Sequence, residues 1–426
     1  MKVMRLSLIM LFLAATFTQC LDKDHPGAVA PPTGMYTVTV ENVSMPYDFF
    51  QSGAATMPEG TSEAGPAHPG QSYTFSFYAG KNHRLSFATM YGASNDLFYG
   101  PSGEGIPLYD GDTPTTGDIT DWIQLWDAGT EINEEPGVGP NTGPQQPAPN
   151  TGPDENGTVR NITEVDDGYS YPAVSANLKV MLDYDGESNM FTVTIDNLSE
   201  SSTGISPVVW GVHAQAYALF HEGMMNYGHG LEHVAEDGNF MPLADYLAMN
   251  TGYVSPVAPV LWVLHDKTEM PVFMDGQPDY GMGLETLAET GNPATLAESL
   301  TNAGYTVGVA NMPEGSTEAG PLFPGDKYMF SFEGQVGKQL SLAFMLGASN
   351  DIFFAPDDDG IKLSFSPVDK DITKLFMLWD AGTEVNEYPG AQSADDTVEG
   401  GNVRLVDDGF MYPDVDQIIK VTIQRN

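Results

Sequence analysis

Four motifs in the first half of this sequence return, in the same order, near its end. Met57-Pro-Glu-Gly-Thr-Ser-Glu-Ala-Gly-Pro66 reappears as Met312-Pro-Glu-Gly-Ser-Thr-Glu-Ala-Gly-Pro321. Gly92-Ala-Ser-Asn-Asp-Leu-Phe98 reappears as Gly347-Ala-Ser-Asn-Asp-Ile-Phe353, and Leu125-Trp-Asp-Ala-Gly-Thr-Glu131 as Leu378-Trp-Asp-Ala-Gly-Thr-Glu384. Val165-Asp-Asp-Gly-Tyr-Ser-Tyr-Pro172 reappears as Val406-Asp-Asp-Gly-Phe-Met-Tyr-Pro413. Self-similarity of this kind means one supersecondary plan used twice. The offset is 255 residues at Met57/Met312 and Asp96/Asp351, 253 at Asp127/Asp380 and 241 at Gly168/Gly409. The drop falls on Gly137 to Gly157, a Gly/Pro/Asn/Gln-rich stretch of the first copy that reads as a surface loop.

The copies also begin alike, with Tyr36-Thr-Val-Thr-Val-Glu-Asn-Val-Ser44 and Phe191-Thr-Val-Thr-Ile-Asp-Asn-Leu-Ser199. Both alternate apolar and polar residues, the pattern of a half-buried strand. Ser72 to Phe77, Lys327 to Phe332, Leu85 to Met90, Leu340 to Met345, Ile123 to Trp126 and Phe376 to Trp379 read as strands too. Leu178 to Tyr184 and Met190 to Asn197 flank Asp-Gly-Glu-Ser and predict a hairpin joining the repeats. The fold expected is mainly β, with two antiparallel β-sandwich domains at 34–188 and 189–426. Only 12 residues separate Ser44 from Met57, whereas 112 separate Ser199 from Met312. The second domain is therefore expected to carry an inserted helical segment at about 205–305, which the first lacks. Its helices are predicted at His213 to Tyr227, Leu231 to Ala235, Leu243 to Met249 and Leu284 to Leu300.

Each copy sets acids directly after strands: Asp96, Asp127 and Glu131 in the first, Asp351, Asp380 and Glu384 in the second. Glu63 and Glu318 occupy the Glu-Ala-Gly-Pro turns. If these loops meet at one end of a sandwich, the carboxylates cannot all stay ionised without a cation. A hard divalent ion, Ca²⁺, takes such oxygen ligands, and Gly129 and Gly382 would let the backbone turn to add a carbonyl. One ion per repeat is expected. The competing reading is that each Asp forms an Asx-turn, which a shared ancestry would also retain. Asp166-Asp167-Gly168 and Asp407-Asp408-Gly409 read as turns.

The second copy resembles the spondin N-terminal domain of extracellular matrix proteins and bacterial secreted proteins. The resemblance runs through Ile205-Ser-Pro-Val-Val-Trp-Gly-Val-His213, Tyr217-Ala-Leu-Phe-His-Glu-Gly223 and Gly230-Leu-Glu-His-Val-Ala-Glu-Asp-Gly238. It ends with Ser349-Asn-Asp-Ile-Phe353 and Leu378-Trp-Asp-Ala-Gly-Thr-Glu384. The family pattern at the last two places is Ser-Pro-Asp-Trp-Phe and Trp-Asp-Ala-Gly-Thr-Asp, so Asn350, Ile352 and Glu384 depart from it. The resemblance implies a β-sandwich holding calcium in its end loops, with Asp351, Asp380 and Glu384 as ligands. The repeat extends this to Asp96, Asp127 and Glu131. It also implies adhesion, the binding of matrix or cell-surface partners, rather than catalysis.

The chain's ends and charge narrow the partners. Lys2 and Arg5 precede an apolar run from Leu6 to Phe17, which is too short to span a bilayer and reads as an export signal within residues 1–20. The single cysteine, Cys20, is either a lipid-anchor site or a chance residue near the cleavage point, and 21–33 reads as a linker. Sixteen bases against 58 acids give a net charge of -42, which excludes nucleic acid. Three functions stay open: a calcium-stabilised secreted protein binding a protein or glycan ligand, a structural envelope or matrix component without a specific ligand, and a hydrolase. The hydrolase reading would call on His213, His221, His229, His233 and His265, but no His-Glu-x-x-His or Gly-x-Ser-x-Gly motif is present.

Overall fold

A computed structural model describes residues 31–143, 145–364, 369–391 and 397–426. The export signal and Cys20 lie outside the described residues, as does most of the expected linker. The described chain is mainly β, and every strand pair within its sheets is antiparallel. Among the described residues, no helix is long and apolar enough to cross a membrane.

Two sandwiches of one design make up the molecule. Each has a four-stranded sheet facing a longer one, and a helix pair on the outer side of the longer sheet. The four-stranded sheets run Lys327–Gln335, Thr33–Asn42, Ile419–Arg425, Asp369–Asp371 in one sandwich. They run Ser72–Tyr78, Met190–Asn197, Leu178–Asp185, Gly117–Asp118 in the other. The longer sheets match in the same way. Val208–His213 lies between Arg84–Met90 and Gln51–Ala55, and Val260–His265 lies between Gln339–Met345 and Thr306–Ala310.

This pairing overturns the expected boundary at 188/189. The strand Thr33–Asn42 pairs with Lys327–Gln335 and Ile419–Arg425, in the sandwich built mostly from the end of the chain. The strand Met190–Asn197, expected to open the second domain, pairs with Leu178–Asp185 and Ser72–Tyr78 instead. The hairpin therefore forms as expected, but inside one sandwich rather than between two. Residues 43–255 form a complete sandwich set into the other after its first strand. We call 43–255 the inserted sandwich, and 33–42 with 256–426 the host.

Nor does the inserted sandwich lack helices. The long segment after Ser199 serves both sandwiches in turn. Helices Leu231–Asp237 and Met241–Met249 cover the inserted sheet, burying Leu231, Val234, Leu243 and Leu247 against Phe98 and Trp126. Helices Leu284–Thr290 and Ala294–Asn302 cover the host sheet, burying Leu284, Leu287, Leu296 and Leu300 against Phe353 and Trp379. A second, shorter repeat encodes this. Ile205-Ser-Pro-Val-Val-Trp-Gly-Val-His213 returns as Val257-Ala-Pro-Val-Leu-Trp-Val-Leu-His265, and Gly230-Leu-Glu-His-Val-Ala-Glu-Asp-Gly-Asn239 as Gly283-Leu-Glu-Thr-Leu-Ala-Glu-Thr-Gly-Asn292. The helix expected at His213 to Tyr227 is absent. Those residues leave the strand at His213 and run as turns, with Tyr217 and Gly223 at positive φ.

Burial explains which strands alternate. Met190–Asn197 alternates along its whole length, because only one face meets a core. Gln339–Met345 is buried throughout, since helices cover the face opposite the core. Each sheet–sheet core centres on a tryptophan, Trp210 or Trp262, whose cross-strand partner is a glycine. A Cβ at Gly53 would lie 2.7 Å from the Trp210 ring, and one at Gly308 2.4 Å from Trp262.

The sandwiches touch through stacked rings, with Tyr78 and Tyr388 centred 4.2 Å apart. Asn189 Nδ2 donates to Glu387 Oε1 at 3.1 Å across the same boundary.

Candidate metal centres

The acidic motifs of each copy converge at the edge strands of its longer sheet. Leu97–Gly100 pairs with Gln124–Asp127, and Asp127 lies opposite Leu97 in the register. Arg160–Asn161 pairs with the other side of Gln124–Asp127 and brings Arg160 opposite Asp127. The host repeats this with Ile352 opposite Asp380 and Arg404 beyond. Asp96, Asp127, Asp351 and Asp380 have no exposed surface.

Asp96 is not a turn former. Its Oδ2 accepts from the backbone N–H groups of Thr130 and Glu131, both at 3.0 Å and more than thirty residues away. Its Oδ1 is buried with no hydrogen-bond partner. In the host, Asp351 Oδ2 accepts from Thr383 N at 2.7 Å and Glu384 N at 3.1 Å, and Asp351 Oδ1 is likewise orphaned. Asp127 does both jobs that the sequence left open. Its Oδ1 makes an Asx-turn with Gly129 N at 2.6 Å, while its Oδ2 receives Arg160 at 2.7 Å and Asn133 Nδ2 at 3.1 Å. Asp380 matches it, with Gly382 N at 2.6 Å, Arg404 at 2.7 Å and Asn386 Nδ2 at 2.9 Å.

Three residues of each centre were not anticipated from sequence. Glu155 joins Asp96 and Asp127, with one oxygen of each within 4.8 Å of the others. Arg160 holds Glu155 at 2.7 Å as well as Asp127. Asn133 bridges Asp127 and Asp167 through its Nδ2, leaving its Oδ1 buried and unpartnered. Glu399, Arg404 and Asn386 are the host counterparts, and Asn386 Oδ1 is orphaned as well, but among the described residues only the inserted trio gathers within 4.8 Å. The signal was present. Glu155-x-x-x-Val159-Arg160 returns as Glu399-x-x-x-Val403-Arg404, in a chain with few bases.

Other expected residues fall elsewhere. Glu63 and Glu318 sit on exposed turns, and their backbone carbonyls accept from the Thr61 and Ser316 hydroxyls. These short polar turns satisfy themselves and do not reach the acidic cluster. Glu131 supports Asp96 through its backbone, while its carboxylate is taken by Gly152 N at 2.7 Å and Asn95 Nδ2 at 3.2 Å. Glu384 gives the same backbone bond to Asp351. Gly129 and Gly382 do adopt positive φ, 68° and 70°, but their carbonyls accept from Gly157 N and Gly401 N and are not turned inward. Asp167 and Asp408 are turns as expected, each accepting from the N–H two residues on at 2.9 Å.

The electrostatics of both centres are costly without a cation. Burial, then the neighbouring Asp127, hold the Asp96 carboxyl well above its ordinary range. Burial also raises Asp127 and Asp351, and burial together with Asp351 pushes Asp380 up to about 6. In the inserted centre three carboxyl groups face one guanidinium, so up to two negative charges are left for protons or a cation to neutralise. Orphaned oxygens, carboxylate chemistry and a net charge of that size fit a hard divalent ion.

The histidines are arranged differently. His213 and His265 are buried, and each Nε2 lies 2.8 Å from a serine hydroxyl, Ser86 or Ser341. Their Nδ1 atoms face the carbonyls of Gln215 and Asp266, so Nδ1 carries the proton and the serine donates. Both pairs are sealed and pin neighbouring strands. His229 precedes the helix that starts at Leu231 and stacks on Tyr246 at 3.8 Å, so it does not share a helix face with His233. Comparison with protein-family models and with curated proteins finds no match for this chain.

Proposed function

We propose that this chain is an exported, calcium-stabilised binding protein, with one ion at the acidic end of each sandwich and a surface that recognises an extracellular partner. Asp96, Asp127 and Glu155 would hold one ion, and Asp351, Asp380 and Glu399 the other. The ion supplies positive charge that locks the end loops in place. The observation that carries this reading is the pair of fully buried, donor-free oxygens, Asp96 Oδ1 and Asp351 Oδ1. A buried acceptor left without a donor costs about 1–3 kcal/mol, more when charged. Finding the same omission twice, at equivalent positions, supports a missing cation over chance. The spondin-like motifs fall partly in the inserted sandwich, at 205–238, and partly in the host, at 349–384; a spondin-like character of each sandwich would bring with it a role in adhesion. The basic, apolar N-terminal residues support export.

Calorimetric titration of EDTA-stripped protein with calcium tests the reading. The expected result is two sites, one lost in Asp96→Asn and the other in Asp351→Asn, with a thermal midpoint that rises on calcium addition. No binding heat and an unchanged midpoint would overturn it.

A further inference from the structure

In a chain with a net charge of -42, bases gather at one place on the host. A cavity of about 560 Å³ lies beside the 3-10 turn Thr373–Leu375, lined by Lys370, Lys374 and Lys420. A smaller cavity adjoins it, sharing Lys370, Ile372 and Leu375 and adding Lys362 and Arg425. Five of the chain's 16 bases therefore surround two neighbouring hollows. We propose that the larger cavity binds a small amphiphilic anion, an apolar body carrying one carboxylate or phosphate head.

Three observations converge on that ligand. The first is charge. Lys362, Lys370, Lys374 and Lys420 are exposed, and among the described residues none of them makes an ion pair. Lys81, Lys327 and Lys338, elsewhere, each hold an acid within 3.0 Å. The acids at the cavity are Asp371 and Asp416, and Glu41 lies opposite Lys420 in the sheet. Asp371 is already engaged, since Thr373 N donates to it at 2.9 Å. The Thr373 hydroxyl and N–H hold the Asp371 carboxyl below its ordinary range, and Lys420 and Lys374 add to this, so both ammonium groups act on one spot. The second observation is the lining. Ile372 and Ile419 are buried, and Leu375 exposes 44% of its surface. Apolar walls with a few convergent polar groups make a small-molecule site, and the volume lies in the usual range of about 300–1,000 Å³. A bare inorganic anion would leave those walls wet. A long polyanion would meet the repulsion of the surrounding acids, so a compact head suits the place.

The third observation is internal. The inserted sandwich has the same construction at this place with fewer bases. Gly117 stands opposite Leu182 as Lys370 stands opposite Ile423. The Thr120 hydroxyl accepts from Val180 N at 2.9 Å, and the Thr373 hydroxyl from Val421 N at 2.9 Å. Asp118 accepts from Thr120 N at 3.0 Å, as Asp371 does from Thr373 N. On this shared framework, Lys362, Lys370, Lys374, Lys420 and Arg425 stand where the inserted sandwich has Pro107, Gly117, Asp121, Lys179 and Tyr184. The strand pairing and the Asp–Thr–Val contacts thus form without four of the five bases. Charge that the fold does not need, gathered round one apolar hollow, points to a ligand.

This site is separate from the acidic centres and does not depend on their ions. Its test is calorimetric titration of the whole protein with octanoate, octyl phosphate, 1-octanol and inorganic phosphate, at about 0.15 M salt, where remote charges are screened. The expected result is saturable binding of octanoate or octyl phosphate, the tighter of the two identifying the head group. Octanol and inorganic phosphate should not bind at the same concentrations. Lys374→Gln/Lys420→Gln should weaken binding about tenfold, roughly threefold for each charge pair removed. Leu375→Ser should weaken it as well. Single variants Lys370→Gln and Lys374→Gln, each costing about threefold, keep the test decisive should the double variant unfold. The control Lys179→Gln/Lys267→Gln, whose exposed lysines lie outside the cavity, should bind as the parent does. Octanol binding as tightly as octanoate, equal losses in the cavity and control variants, or no saturable binding of either amphiphile would overturn the proposal. None of these results bears on calcium, so the two readings fail separately.

Discussion

The two acidic ends share their residues and differ in what lies over them. In the inserted sandwich a long loop folds back on its own centre, and Gly152 and Asn95 take up the Glu131 carboxylate. In the host the corresponding connection is shorter. One fold therefore carries connections of different length over two equivalent centres. The difference lies in the connection, while the contacts that Asp127 and Asp380 make with glycine, asparagine and arginine are the same in both.

The largest test concerns the nesting itself. A fragment of residues 43–255 should unfold cooperatively by circular dichroism and calorimetry, because all its strands and helices are its own. A fragment of residues 34–188, cut where the outer repeat divides, should not fold. It lacks Val208–His213 and both helices, so Phe98, Trp126 and Val209's neighbours lose their cover. Each such side chain is worth about 1.5–3 kcal/mol, and several together exceed the 5–15 kcal/mol that holds a domain. Folding of the shorter fragment would break the nested assignment.

Smaller effects sharpen the comparison. Trp210→Ala and Trp262→Ala should each cost about 3–5 kcal/mol. The first should lower the unfolding of the inserted sandwich and the second that of the host, read as separate shifts in hydrogen exchange. Next comes pH. Asp380 binds its proton more tightly folded than unfolded, since burial and Asp351 raise it to about 6. Ionising it opposes folding, so metal-free stability should fall as pH rises from about 4 through about 6. A thermal midpoint in EDTA that is higher at about pH 5 than at about pH 7.5 would agree, and calcium should narrow the gap. A midpoint that rises with pH in EDTA would show that the carboxylates are already compensated. The smallest effect is expected for Gly152→Ala. Its Cβ would meet Glu131 Oε2 at 2.1 Å and push the buried carboxylate off Gly152 N and Asn95, so a loss of about 1–3 kcal/mol should appear in the inserted sandwich alone.

Much of the fold was legible in local pattern, and its connectivity was not. Alternation in Thr37 to Val40 and Thr192 to Ile195 shows one buried face but not which sheet the strand joins. The two opening strands are so alike that either fits either slot. What decides is the far half of the pairing, hundreds of residues away. The shorter repeat of Trp210/Trp262 and Leu231/Leu284 carried the missing information, since two copies of a helix cover imply two sheets to cover. At the centres, Asp96 and Asp127 stood out through strict repetition. Glu155 and Arg160 did not, because they follow the loop where the two copies fall out of step. Glu63 misled because repetition preserves turns as faithfully as ligands.

The nesting also sets an order of assembly. Thr33–Asn42 is made early, yet its partners Lys327–Gln335 and Ile419–Arg425 come some three to four hundred residues later. Closing so long a span from an open coil is slow. The inserted sandwich shortens it. Its two ends are clasped together, with Phe49 N donating to Asn250 O at 3.1 Å and Gly252 N to Phe49 O at 3.0 Å. Once it has folded, the waiting strand and the resuming chain leave from neighbouring points, and the host completes around a gap of a few residues. The insert works as a folding jig, and a lesion that delays it should strand the host even where the host's own residues are intact.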